Sequence, residues 1–494
     1  MLKFSLLIIL SMVSVIEAMS QVENSSNCKK AYKEIMSLKF EQAEKYIEAE
    51  RDSFPENVYI AYLENYIDFL KIFISEDEEI FNNAEDNKPS RIAIIESLSD
   101  TSPYKNYLLA NINLQWAFAR LKFNEYFTAA IEINRAYNLI EKNALEFPDF
   151  YQNKITHGVI KIMFGLIPEN YKWILSVISK EGSVEGGMNE LYEVLYLSEL
   201  DTNFAYLKEE TIFYLGFIEL NIYPDNTKSL ILLEEILPLA DNSLLFAYMG
   251  VNILTKTAQN EKADLLFQKI QDREGYFPFY YLDYMNAEFY LKKLDTQNAR
   301  KFYSKFLRNF KGKNYIKDAW RKMAWTYLME GNIELYNHIL SNVGTQGYKD
   351  SESDEDAFME YESMEIPNID LLKARVLFDG NYLTQADSIL KHINETNFNF
   401  DQKLEKTYRL ARVEHKMNKI NEAKKLYKSV VINSELTDKY FPANSALKLG
   451  EIYEIEDSLV MANYYYEKCT AMNFIQYEKS IKAKANEAKR RVSK

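Results

Sequence analysis

Asn260-Glu261-Lys262-Ala263-Asp264-Leu265-Leu266-Phe267 and Thr296-Gln297-Asn298-Ala299-Arg300-Lys301-Phe302-Tyr303 carry one pattern, an alanine followed four residues later by a large apolar residue. It returns as Ala386/Leu390, Ala423/Tyr427 and Ala462/Tyr466, at neighbouring intervals of 36, 37 and 39 residues with one longer gap. Each alanine follows a short polar junction such as Gln259-Asn260, Asp295-Thr296 or Asn418-Lys419, where a second helix starts against the first. A small residue is needed where two helix backbones approach closely, and the large one a turn later fills the groove beside them. The period therefore predicts helix hairpins, each burying its apolar face on its neighbours.

The first helices supply the other half of the pattern: Trp320-x2-Met323-Ala324-x2-Tyr327, and Ala446-x2-Leu449-Gly450-x2-Tyr453 after Pro442. Together these resemble the tetratricopeptide repeat (TPR), W-x2-L-G-x2-Y followed by A-x3-F and P. Ala43/Ile47 with Pro55 twelve residues past the alanine is another copy, behind a first helix from about Cys28 to Leu38. The resemblance covers nearly all of Leu200 to Arg491 and is patchy before it. It implies an all-α, right-handed TPR-like solenoid of about ten or eleven helix pairs, with a protein or peptide partner on its concave surface. The expected plan is a signal peptide at 1–20, divergent helical repeats at 21–200, TPR-like repeats at 201–345, an acidic inserted loop at 346–365, and TPR-like repeats with a basic capping helix at 366–494.

Composition agrees with helices. Only 14 glycines and 10 prolines occur in 494 residues, too few for the turns of sandwiches, barrels and Rossmann units. Hydrophobic residues make up 47% and charged residues 27%, which excludes disorder as the main state. The formal net charge of −14 opposes general binding to nucleic acid. Cys28 and Cys469 lie far apart in the sequence, too few for a disulfide framework, and are expected to stay unpaired.

At the N-terminus Lys3 precedes an apolar run from Phe4 to Ile16, long enough for a signal-peptide core but short of the ~20 residues of a spanning helix. Ala18-Met19-Ser20 places small residues at −3 and −1 of a cut before Gln21, the expected mature start. Cys28, in Ser26-Asn27-Cys28, lacks the residues that precede a lipoprotein cysteine. Richness in Asn, Lys, Ile and Tyr, with Gln at the mature start, resembles exported proteins of AT-rich Bacteroidetes-type bacteria, which implies a periplasmic or envelope-associated protein.

Residues 103 to 200 depart from the repeat. Tyr104 to Leu121 and Glu125 to Leu145 read as long amphipathic helices. Then Gly158-x6-Gly165-Leu166-Ile167-Pro168 and Glu181-Gly182-x3-Gly186-Gly187-Met188 gather five glycines within 30 residues. This stretch, 158–191, resembles the eukaryotic TPR family linked to inclusion-body clearance, although Glu169 stands where that family has a second proline. The glycine cluster has no G-K-[ST] and follows a helix, so it is read as a turn packed closely on the next helix and not as a phosphate loop.

No catalytic, cofactor-binding or metal-ligating residue is nominated. His157, His338, His392 and His415 lack partners at ligand spacing and are expected on the surface or in a groove. Asp350 to Glu365 holds eight acids without Lys or Arg, and it lacks the glycine of a calcium loop. The last helix, Tyr477 to Arg491, is basic through Lys479, Lys482, Lys484, Lys489, Arg490 and Arg491, which suits a polar outer cap or peripheral contact with the envelope. Most of the 37 tyrosines must be core, and a minority facing the concave side would recognise a peptide or glycan. The expected function is a non-enzymatic scaffold or adaptor in the cell envelope, without a cofactor. A SusD-like carbohydrate-binding protein of the outer membrane is the alternative, and a helical enzyme with a dispersed site the third.

Overall fold

The computed structural model describes residues 25–165, 182–221, 226–271 and 273–492. The expected leader, the cut before Gln21 and the part of the glycine-bearing stretch from Leu166 to Glu181 lie outside the described residues. Every regular element among them is a helix, and the chain divides into two compact units, Met1–Phe279 and Tyr280–Lys494. None of these helices is long and apolar enough to cross a membrane.

In the first unit α1 (Ser26–Ser37) pairs with α2 (Phe40–Ser53), and α3 (Tyr59–Ser75) with the short α4 (Glu78–Glu85) and α5 (Lys88–Glu96). The long α6 (Pro103–Lys122) pairs with α7 (Tyr126–Glu146), and α8 (Gln152–Gly165) with α9 (Val184–Leu200). After a 3-10 turn (Thr202–Leu207), α10 (Lys208–Asn221) pairs with α11 (Asn226–Ala240) and α12 (Leu244–Lys256) with α13 (Asn260–Ile270).

The second unit begins with the hairpin of α14 (Tyr281–Lys292) and α15 (Thr296–Asn309), then α16 (Ile316–Met329) and α17 (Ile333–Leu340). The four-residue α18 (Asn342–Thr345) leads to α19 (Glu352–Ser363). Hairpins follow of α20 (Ile369–Asp379) with α21 (Leu383–His392), α22 (Phe400–Lys416) with α23 (Ile420–Val431), and α24 (Phe441–Ile455) with α25 (Leu459–Ala471), covered by α26 (Glu478–Val492). Six hairpins in the first unit and five in the second make eleven among the described residues, an all-α array of TPR-like hairpins.

Eight hairpin turns share one geometry. Leu38, Asn124, Ala258, Leu294, Gly331, Asn381, Asn418 and Asp457 have left-handed backbone, with φ from 56° to 82°. The following residue donates its N–H to the carbonyl five positions back, as Gln259 does to Leu254 (2.8 Å) and Lys419 to Glu414 (2.9 Å), the longer bond of a Schellman cap. Five positions past each left-handed residue lies the packing residue: Ala43, Ala129, Ala263, Ala299, Tyr336, Ala386, Ala423 or Ala462. The seven alanines are 0% exposed and Tyr336 is 1% exposed. The repeat of small residues is thus the side-chain trace of a repeated turn.

Two expectations are corrected. The segment expected as an acidic loop at 346–365 is mostly helix α19. Ser351 caps it by accepting from the N–H of Asp354 (3.1 Å), and Glu352, Asp354 and Glu355 fall in its first turn, where the helix dipole favours anions. Ala357 is fully buried and anchors the helix to its unit. The division of the chain also falls within the expected central repeats at 201–345, between Phe279 and Tyr280. Its cause is a return contact. Phe277 donates its N–H to the Leu38 carbonyl (2.7 Å), the Phe277 and Phe40 rings lie 5.2 Å apart, and the Ser243 hydroxyl donates to the Met36 carbonyl (2.7 Å). The first and sixth hairpins of unit one therefore touch, which binds the chain up to residue 279 into one body.

Candidate functional site

The second unit contains a cavity of about 250 Å³. Its walls come from first helices of successive hairpins, α14, α16 and α20, together with α19 and Tyr477 at the start of the last helix. Five carboxyl groups and four cations line it, an unusual density for a place where ions are partly removed from water.

Most of these charges are matched within the cavity wall. Asp318, 0% exposed, receives Lys322 Nζ at 2.8 Å and Arg321 Nη2 at 2.5 Å, and accepts a hydrogen bond from the Tyr284 hydroxyl. Burial works against an ionised Asp318, yet Lys322 and Arg321 outweigh it and hold the carboxyl down at about 2. Lys322 also pairs with Glu288 of α14 at 2.9 Å. From α19, Glu360 accepts from the indole N–H of Trp325 (2.6 Å) and stands 3.7 Å from Arg321. The acidic helix thus supplies counter-charge to α16. Its Asp356 behaves oppositely to Asp318, because burial pushes the carboxyl up to about 6 against the pull of Arg321.

Two donors are left over. Arg321 is buried, and its Nε has no hydrogen-bond partner. Arg375 of α20 gives one hydrogen bond, from Nη2 to the Tyr477 hydroxyl (3.1 Å), and no carboxylate among the described residues lies within ion-pair distance of it. Both guanidinium groups lie over Trp325, 4.9 and 5.1 Å from the ring centroid, so the indole holds two cations side by side. Among the described residues no cluster of three or more His, Cys, Asp and Glu is arranged to hold a metal.

None of these residues was nominated from sequence. The signal lay in Asp318-Ala319-Trp320-Arg321-Lys322, where charges at i, i+3 and i+4 share a helix face. Its counterpart was the acidic run, whose helical form brings Asp356 and Glu360 to that face.

The residues that were singled out have structural positions. His157 is neither on the surface nor in an open groove: it is clamped between Glu141 of α7 (2.7 Å) and Glu190 of α9 (2.9 Å), and Lys161 also reaches Glu190 (2.7 Å). Burial raises Glu190, and His157 and Lys161 reverse that shift and hold it below the usual carboxylate range. His392 is exposed and hydrogen-bonds the Ser388 carbonyl (2.8 Å), whereas burial lowers the half-buried His415 beside Tyr427. Gly158 and Gly187 face each other across α8 and α9: a Cβ on Gly158 would meet the Gly187 carbonyl oxygen at 2.8 Å. Gly158 and Gly187 thus lie within two packed helices and not in the turn expected for the cluster. Cys28 and Cys469 are free and buried, one in each unit, and burial pushes the thiols up to about 11 and about 12.

No protein-family model matches the chain, and no curated protein sequence does. Among solved structures it is similar to a crystal structure of the APC/C hetero-tetramer Cut9-Hcn1, at 12% identity over 96% of this chain and 100% of that one, with a TM-score of 0.27.

Proposed function

We propose that the chain is a non-enzymatic TPR-type scaffold that holds a segment of a protein partner in the cell envelope, outside the cytoplasm. The observation that carries this reading is Arg375: a guanidinium without a carboxylate partner, fixed over Trp325 at a cavity built from the first helices of successive hairpins. An acidic side chain of an extended partner segment completes such a group by a charge-assisted bidentate bond. Lys3, the apolar run from Phe4 to Ile16 and Ala18-Met19-Ser20 support the location. No observation favours the SusD-like alternative over this reading.

The test is affinity capture from envelope extract with three baits: the wild-type chain, Arg375→Ala, and Lys403→Ala on an exposed position of α22. A partner retained by the wild type and Lys403→Ala and lost with Arg375→Ala is the expected result. Equal capture by all three would refute the assignment. Native N-terminal sequencing that returned Met1 in place of Gln21 would refute the location.

A further inference from the structure

We infer that the first unit carries a separate binding site, a tyrosine-walled cavity around Glu210 that receives an alkylammonium group. The cavity, about 180 Å³, is lined by Tyr32 of α1, Tyr59 of α3, Tyr104 and Tyr107 of α6, Tyr206 of the 3-10 turn, and Glu210 in the first turn of α10. Five aromatic rings from four separate elements thus line the cavity with two carboxyl groups, Glu209 and Glu210, of which Glu210 alone is buried.

Glu210 is 5% exposed, and no ion pair to it occurs among the described residues. Burial raises its carboxyl, and no Lys or Arg is placed to oppose that. A carboxyl group placed in such a site without a cation is costly unless it is neutral or something cationic arrives. Two lysines also line the cavity, Lys29 and Lys33, and both are exposed to water. Tyrosine faces are electron-rich and attract cations, most strongly where water is excluded. Rings around a single buried carboxyl therefore select a compact positive head on a short apolar stem. A neutral sugar would satisfy the hydroxyls and leave Glu210 without counter-charge. The site does not depend on the Arg375 cavity, so either reading can fail alone.

The chemistry is tested by calorimetric titration of the full chain with n-butylammonium chloride and with n-butanol, its uncharged counterpart of the same length. The amine is expected to bind at least about tenfold more tightly than the alcohol. Glu210→Gln, which keeps the shape and hydrogen-bonding capacity, should remove about tenfold of the amine affinity and leave the alcohol unaffected. Tyr206→Leu, at a ring 41% exposed and outside the core, should weaken the amine several-fold. A lysine peptide and its acetyl-lysine form separate the sources. Binding of the lysine form alone assigns the ammonium to a protein chain, and binding of butylammonium without the peptide assigns it to a free amine. Equal affinity for amine and alcohol, an unchanged amine affinity in folded Glu210→Gln, or no binding in either arm would overturn the site.

Discussion

Asp354 closes the N-terminus of a helix to which it does not belong: its carboxylate accepts from the backbone N–H of Tyr315 (2.7 Å), at the start of α16, and from that of Asp318 (3.0 Å). Tyr315 occupies the cap position in left-handed conformation, φ 66°, and its own side chain makes no capping bond. The first N–H groups of a helix need an acceptor, and here an acidic helix provides it from across the packing interface. Asp354→Ala should destabilise the second unit by about 1 to 2 kcal/mol, and Asp354→Asn by less because one acceptor survives. Urea unfolding midpoints check this, and an unchanged midpoint for Asp354→Ala would mean the cap stabilises nothing.

The shared turn makes a prediction with opposite signs at equivalent positions. Gly331 has φ 82° and a Cβ there would meet no heavy atom within 4 Å, so Gly331→Ala introduces backbone strain alone and should cost about 1 kcal/mol. Ala258 bears that strain already, at φ 62°. Ala258→Gly should therefore be neutral or stabilising by less than about 1 kcal/mol, the relief being opposed by the greater freedom of glycine in the unfolded chain. Destabilisation of similar size from both substitutions would contradict the shared geometry.

The period of the hairpins was legible because its carriers obey strong packing rules. Ala263, Ala299, Ala386, Ala423 and Ala462 are fully buried, and Phe267, Tyr303, Leu390, Tyr427 and Tyr466 are at most 1% exposed. The junctions were legible as short polar breaks, and Asn124, Asn381, Asn418, Asp457 and Gly331 carry a turn signal, but Leu38, Ala258 and Leu294, also left-handed, carry none of their own. Helix α19 was misread because its acids look like a solvated loop, whereas Asp354 and Asp356 are buried against donors from α16 and α20 that are distant in sequence. The cavity was invisible for the same reason: Arg375 and Tyr477 meet across 102 residues, and nothing local to either predicts the contact.

Gly450 tests the hairpin contact of α24 and α25. A Cβ at this position would fall on the ring of Tyr466, one turn beyond Ala462. Gly450→Leu or Ala462→Leu should overpack the junction and cost roughly 1 to 3 kcal/mol, whereas Ser458→Ala should cost far less because Ser458 makes no side-chain cap bond. The two thiols report where the damage goes. Cys469 packs in the cluster that holds Ala462 and Tyr466, and Cys28 belongs to the other unit. Both are buried with raised thiol values, so alkylation at neutral pH is slow until the surrounding helices open. Either leucine variant should accelerate labelling of Cys469 while Cys28 and the region from Ala43 to Leu145 stay protected. Simultaneous loss of protection at both thiols would contradict local propagation of the damage.

Glu210 makes the stability of the first unit depend on pH in a direction unusual for a carboxylate. Burial pushes its carboxyl from the ordinary 4.5 up to about 7 in the folded chain. A group whose folded value is raised binds its proton more tightly when folded, so its stabilising contribution is complete below about pH 4.5 and is lost as the pH rises towards 7. The full difference corresponds to roughly 3 kcal/mol. Glu210→Gln cannot titrate and should remove this slope. The difference in urea midpoint between variant and wild type should therefore grow in the variant's favour from pH 4.5 to 7 and level off above it, while ion pairs elsewhere, such as Asp318 with Lys322, cancel from the comparison. A difference that stays flat across that window would mean that the Glu210 carboxyl is not held uncompensated in the tyrosine cavity.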